Sequence, residues 1–173
     1  MSVRSAQSVR ALPEPDEQGR FHWVLASGQP VIIYDWEQGA FVQEILVLNG
    51  LSHPAQIPLL DSHNRNSAAD QIGSVRDFAL DQTNNLLTGM VQFSDADELS
   101  RTTRQKVAEG HITDGSIGYR VLQSVWIPDG SAANIDGRDY TGPVRVTTQA
   151  QLLEFSITPI GADESAKVWH AKS

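Results

Sequence analysis

From Phe21 onward the chain is a succession of short β-type runs, each closed by a turn signal, and that rhythm admits few folds. Phe21–Leu25 runs into Gly28-Gln29-Pro30 and resumes at Val31-Ile32-Ile33-Tyr34. Gln43–Leu48 closes at Asn49-Gly50, a strong turn dipeptide. Ile57-Pro58-Leu59-Leu60 leads into Asp61-Ser62-His63-Asn64, and Ile72–Phe78 and Leu86–Phe93 follow, joined through Asp81–Asn85. Val91 and Phe93 alternate with Gln92, the period of a strand with one wet face. A strand ending near Ile127, then Val144–Thr148 and Leu152–Ile157, continue the pattern. Between them, Pro128–Pro143 is rich in Gly, Asp, Ser and Asn, which predicts a long exposed loop.

One segment breaks the rhythm. Ser94 is placed to cap a helix, with Asp97 completing an S-x-x-D box. Asp95, Asp97 and Glu98 sit where the helix dipole favours negative charge. Leu99, Thr103 and Val107 keep near-helical spacing, and Gly110 is a natural stop. A second, short helix is predicted around Ser165–Trp169. Many strands with so few helices predict a mainly β or α+β fold, a small β-barrel or sandwich with helices packed outside. The polar opening, with Pro13, Pro15 and an acidic cluster at Glu14, Asp16 and Glu17, predicts a flexible arm over 1–20. Residues 21–173 then form one domain, long enough to bury a core.

Composition narrows the chemistry. Thirteen Lys+Arg against 21 Asp+Glu gives a net charge of -8, which argues against nucleic acid as the partner. No cysteine is present, so disulfides, thiol catalysis and Cys-based zinc sites are excluded. The sequence from Met1 to Ala6 lacks the apolar core of a secretory signal, and apolar runs are only a few residues long. A cytoplasmic protein with no membrane contact is the expectation.

A covalent nucleophile must therefore come from Ser, Thr, Lys or a carboxylate. Of the five histidines (His22, His53, His63, His111 and His170), His63 has the most suggestive setting. It stands where the apolar run Leu59-Leu60 gives way to a polar Asn-Arg-Asn segment, with scaffold on one side and solvent on the other. Ser116, in Gly115-Ser116-Ile117-Gly118, is flanked by glycines that relieve crowding around its hydroxyl. That string is equally the signature of an ordinary turn. Glu154, within Leu152-Leu153-Glu154-Phe155-Ser156-Ile157, is either a surface carboxylate or an acceptor orienting an imidazole, and it shares a strand face with Ser156. Serine needs such partners because its hydroxyl is scarcely ionised at neutral pH. A metal site built from Asp61 and His63 with His53 or His111 is the alternative, although no HExxH-type ligand set is present.

Three segments together resemble the prohead maturation serine proteases of tailed phages: Leu59–Arg65, Val107–Tyr119 and Glu154–Pro159. Ile72–Val75 and Leu87–Ser94 fill the interval as in that family, so the likeness runs from about Leu46 to Ala166. The resemblance implies His63 as general base, Ser116 as nucleophile and Glu154 as third member of a triad. It also implies an assemblin-like fold, a β-barrel core with surrounding helices, and catalysis without cofactor or metal. Expected substrates are phage scaffold and the scaffolding arm of the capsid protein, cut inside the prohead in the bacterial cytoplasm, together with the protease itself. Assemblin relatives need dimers, so the resemblance also implies a homodimer here, and a non-catalytic capsid assembly module is the competing expectation.

Overall fold

The computed structural model describes residues 12–169, and the architecture is mainly β with one α-helix among them. Its strands are β1 (Phe21–Ser27), β2 (Val31–Asp35), β3 (Ala40–Leu46), β4 (Leu51–Ser52), β5 (Gln56–Asp61), β6 (Gln71–Asp81) and β7 (Leu86–Phe93). Helix α1 (Glu98–Ala108) precedes β8 (Gly115–Ile127), β9 (Ala132–Ile135), β10 (Arg138–Thr141) and β11 (Val144–Ile157). The main sheet runs β1-β7-β6-β5-β11-β3-β2, with β4 and β8 also paired to β11.

The core follows from alternation. In β7, Leu87, Gly89, Val91 and Phe93 point inward while Gln92 is exposed. They meet Phe21, Trp23 and Leu25 of β1 and Ile72 and Val75 of β6 in one cluster that also holds Phe155. Phe21 packs edge-on against Phe93, and Trp23 against Phe155.

Helix α1 begins three residues later than the sequence suggests. Asp97, not Ser94, is its N-cap, and Asp97 Oδ1 accepts the Ser100 N–H at 2.8 Å. Ser94 Oγ instead accepts the Ala96 N–H in the preceding turn. The buried stripe is centred on Ser100 and Val107, and Leu99 is exposed. Gly110, at φ 78°, ends the helix as expected. His111 N–H bonds Lys106 O and Gly110 N–H bonds Val107 O, a Schellman motif.

Three further expectations are corrected. Pro128–Pro143 is no open loop: β9 and β10 form a hairpin, with Asp136 (φ 51°) and Gly137 (φ 82°) as its two turn residues. Val144–Thr148 and Leu152–Ile157 are halves of the single strand β11, interrupted by register shifts. Ser165–Trp169 is not helical, because its backbone groups are claimed by strands on both sides. Val24 N–H bonds Lys167 O and Trp169 N–H bonds His22 O, while Gly115 N–H bonds Ala166 O and Val168 N–H bonds Thr113 O.

That segment also accounts for the barrel. β1 and β8 form no ladder with each other, so the sheet is open. Only isolated bridges, Trp23↔Val168 and Asp114↔Lys167, span the seam between them. Among the described residues a single α-helix, rather than a surrounding set, packs outside, against β6 and β7. Of the N-terminal arm, residues 1–11 lie outside the described residues. Within the rest, Asp16 accepts the Arg20 backbone N–H at 2.9 Å and its Nε at 2.8 Å.

Candidate active site

Strand β11 organises the site. Phe155, Ser156 and Ile157 pair in parallel with Leu59, Leu60 and Asp61 of β5, while Ile157 to Glu154 pair antiparallel with Gly115 to Gly118 of β8. The turn carrying His63 and the strand start carrying Ser116 therefore flank the same end of β11, which itself supplies Glu154. Strands either side of a common neighbour are about 10 Å apart, a gap that side chains enter from both sides.

His63 is held in an uncommon backbone conformation. Ser62 and His63 both have positive φ, 49° and 60°, and Asn64 N–H bonds Asp61 O at 2.9 Å. Two left-handed non-glycine residues in a row are costly, and such strain persists only where surroundings enforce it. Here β11 enforces it. Ser62 N–H donates to Ile157 O at 3.0 Å, and His63 N–H donates to Ser156 Oγ at 2.9 Å.

The imidazole reaches the buried carboxylate. His63 Nδ1 lies 2.6 Å from Glu154 Oε1, while the His63 side chain is 41% exposed and Glu154 only 2%. An ionised carboxylate can only accept, so Nδ1 carries the proton, and in the neutral imidazole Nε2 is then the acceptor. Ser156 Oγ–H donates to the other oxygen, Oε2, at 2.8 Å, and Arg65 Nη2 donates to Oε1 at 3.1 Å. Burial pushes the Glu154 carboxyl up, but the hydrogen bonds from His63, Ser156 and Arg65 outweigh it and hold the group below the ordinary carboxylate range. Glu154 is thus a charged group fully paired inside the sheet, the alternative surface location being corrected by its burial.

Ser116 stands opposite Ser156 in the ladder, and Gly118 opposite Glu154. Directly opposed residues present their side chains on one face, so the Ser116 hydroxyl shares the face of Ser156 and Glu154. Gly115 is required from the other side, where a methyl group would overlap the Phe155 ring. The structure joins His63 to Glu154 by a hydrogen bond, whereas among the described residues no hydrogen bond joins Ser116 to the imidazole. Nucleophile–base pairs are often long until substrate tightens them.

The remaining histidines stand apart from this constellation. His53 stacks on Phe78, His22 lies against Trp169, and His111 faces Glu109 across 3.7 Å. His170 lies outside the described residues. Among the described residues no three His, Asp or Glu side chains converge as metal ligands, which leaves Asp61 and His63 without the third donor considered above. Nor is any helix there long and apolar enough to cross a membrane.

Sequence reasoning missed Arg65 and Gly118 and left Ser156 without a role. Ser156 does carry a signal, its period-two spacing from Glu154, whereas its bond to His63 depends on the pairing of β5 with β11. A family model described as caudovirus prohead serine protease matches residues 38–173. No curated protein and no solved structure matches the chain.

Proposed function

The chain belongs to the caudovirus prohead serine proteases, and from that premise we propose that Ser116, His63 and Glu154 are its catalytic triad. The observation that carries this reading is the Nδ1–Oε1 contact of 2.6 Å, which fixes the one imidazole tautomer able to accept a serine proton.

Ser116 Oγ attacks the scissile carbonyl carbon while its proton passes to His63 Nε2, and Glu154 stabilises the resulting imidazolium. Collapse of the tetrahedral adduct breaks the C–N bond, with the Nε2 proton delivered to the leaving amine. Water then attacks the acyl-serine ester, giving its proton to His63, and the carboxylic product and free Ser116 are released. The substrates on this reading are scaffold protein or the scaffolding segment of the capsid protein, and the chain itself, within the assembling prohead of the host cell.

A fluorophosphonate probe tests the assignment on purified protein. One adduct is expected on Ser116, lost in Ser116→Ala and His63→Ala variants that keep the wild-type circular dichroism spectrum. Co-expressed scaffold and capsid protein of the same phage should be cut by the wild type only. Undiminished cleavage by Ser116→Ala ends the proposal. A non-catalytic assembly module is favoured by a single observation, the missing Ser116–His63 hydrogen bond, and it predicts no adduct at all.

A further inference from the structure

The seam between β1 and β8 is not filled along its whole length. Past the segment around Lys167 it opens into a cleft of about 190 Å³, walled by Leu25, Val31, Ile33, Leu46 and Ile117. Ser116 is part of its rim. Successive residues of a strand face opposite sides, so Ser116 presents to the Glu154 side while Ile117 and Tyr119 present to the cleft and the core behind it. A peptide crossing the edge of β8 at Ser116 can lay a carbonyl against the hydroxyl and turn the neighbouring side chain into this cleft.

The lining states what that side chain is. Val31, Ile33, Ile117 and Tyr119 are only half-buried, an apolar wall left partly wet that gains by being covered. Two carboxylates, Glu44 and Asp163, also line it, and no cation does. An acidic side chain is therefore repelled. A basic one meets carboxylates that already hold partners, and Glu44 is itself buried, which pushes its carboxyl toward the neutral form. Glu44 accepts from the Tyr119 hydroxyl, and Asp163 accepts Ser27 N–H at 2.6 Å and Ser27 Oγ–H at 2.8 Å. Moving an ammonium group out of water beside occupied partners costs more than it returns.

We propose that this cleft selects an apolar side chain next to the scissile bond, with Val31 and Ala162 at the points where its shape can be altered. The proposal rests on Ser116 being the nucleophile, and it adds the substrate class that the triad alone does not specify.

Aminoalkyl diphenyl phosphonates carrying isobutyl, aminobutyl, carboxyethyl or no side chain test it through the rate at which each labels Ser116. The isobutyl probe should react at least tenfold faster than the unsubstituted one, and the carboxyethyl probe slowest. Val31→Trp, or Ala162→Trp should the first variant fold poorly, should slow the isobutyl probe about tenfold and leave the unsubstituted probe within twofold. Labelling of Ser116 at equal rates, fastest labelling by a charged probe, or equal slowing of all probes by both variants overturns the cleft and leaves the triad standing. No labelling of Ser116 by any probe overturns both.

Discussion

Gly118 faces Glu154 across the β8–β11 ladder, and a methyl group at residue 118 would overlap both the Glu154 carboxylate and the Arg65 guanidinium. The hydrogen of a glycine is all the room this carboxylate leaves. Gly118→Ala must displace Glu154 or Arg65, and with it the hydrogen bond that orients His63. Displacements of about 1 Å in a catalytic group cost on the order of a hundredfold in rate. A loss of that size in Ser116 labelling, with a stability loss of about 1–3 kcal/mol in urea unfolding, is the expected outcome.

Ser156 joins His63 to Glu154 by accepting from His63 N–H and donating to Glu154 Oε2. Ser156→Ala leaves a carboxylate oxygen and a backbone N–H without partners, each worth about 1–3 kcal/mol when buried. Its hydroxyl touches neither substrate nor the attacking atom in the proposed scheme, so it is a positioning residue. Steady-state kinetics should show kcat falling more than tenfold with KM within about twofold. A variant that unfolds earlier yet keeps full kcat would assign Ser156 to stability alone.

Acid should uncouple the site in a predictable direction. The Glu154 carboxyl is held below its ordinary value of 4.5. Its contribution to stability is therefore complete above that value and is lost as pH falls through the lower, folded-state one. Urea midpoints measured from pH 6 down to pH 3 should fall on this account, and the slope should flatten in Glu154→Gln. That variant should also lose Ser116 labelling at pH 7, where the wild type is fully paired.

A second buried ion pair separates stability from chemistry. Arg145 meets Asp35 at 2.6 Å and Glu37 at 2.8 Å, at the far end of β11 from Glu154. Removing one member of such a pair strands the other, at a cost of about 3–5 kcal/mol. Arg145→Ala should lower the melting temperature strongly while the labelling rate of the folded fraction stays at the wild-type value. An equal loss of both would tie the two ends of β11 together.

Local pattern carried much of this fold. Leu86–Phe93 was readable because its alternation matches its burial, and Gly110 because a positive φ at a helix end calls for glycine. Failures arose where partners lie far along the chain. The Ser165–Trp169 segment has the local pattern of a short helix, but hydrogen bonds to His22, Val24, Thr113 and Gly115 draw it out straight. The β9–β10 hairpin was legible in Asp136-Gly137, a strong hairpin dipeptide, and was hidden by the polarity of its flanks. At the site, residue types and order pointed to His63, Ser116 and Glu154. Arg65 and Gly118 emerge only once Glu154 is known to be buried between β5 and β8.

Glu154 enters between two strands made long before it, and so the order of synthesis matters. A nascent chain that has released His63 and Ser116 from the ribosome still lacks the strand that unites them, because the chain emerges from its N-terminal end. Until residues 154–157 emerge, the hydroxyl and the imidazole sit on separate, unjoined pieces. Translation thus acts as a timer, and ribosome-stalled chains ending before residue 154 should leave a fluorophosphonate unreacted.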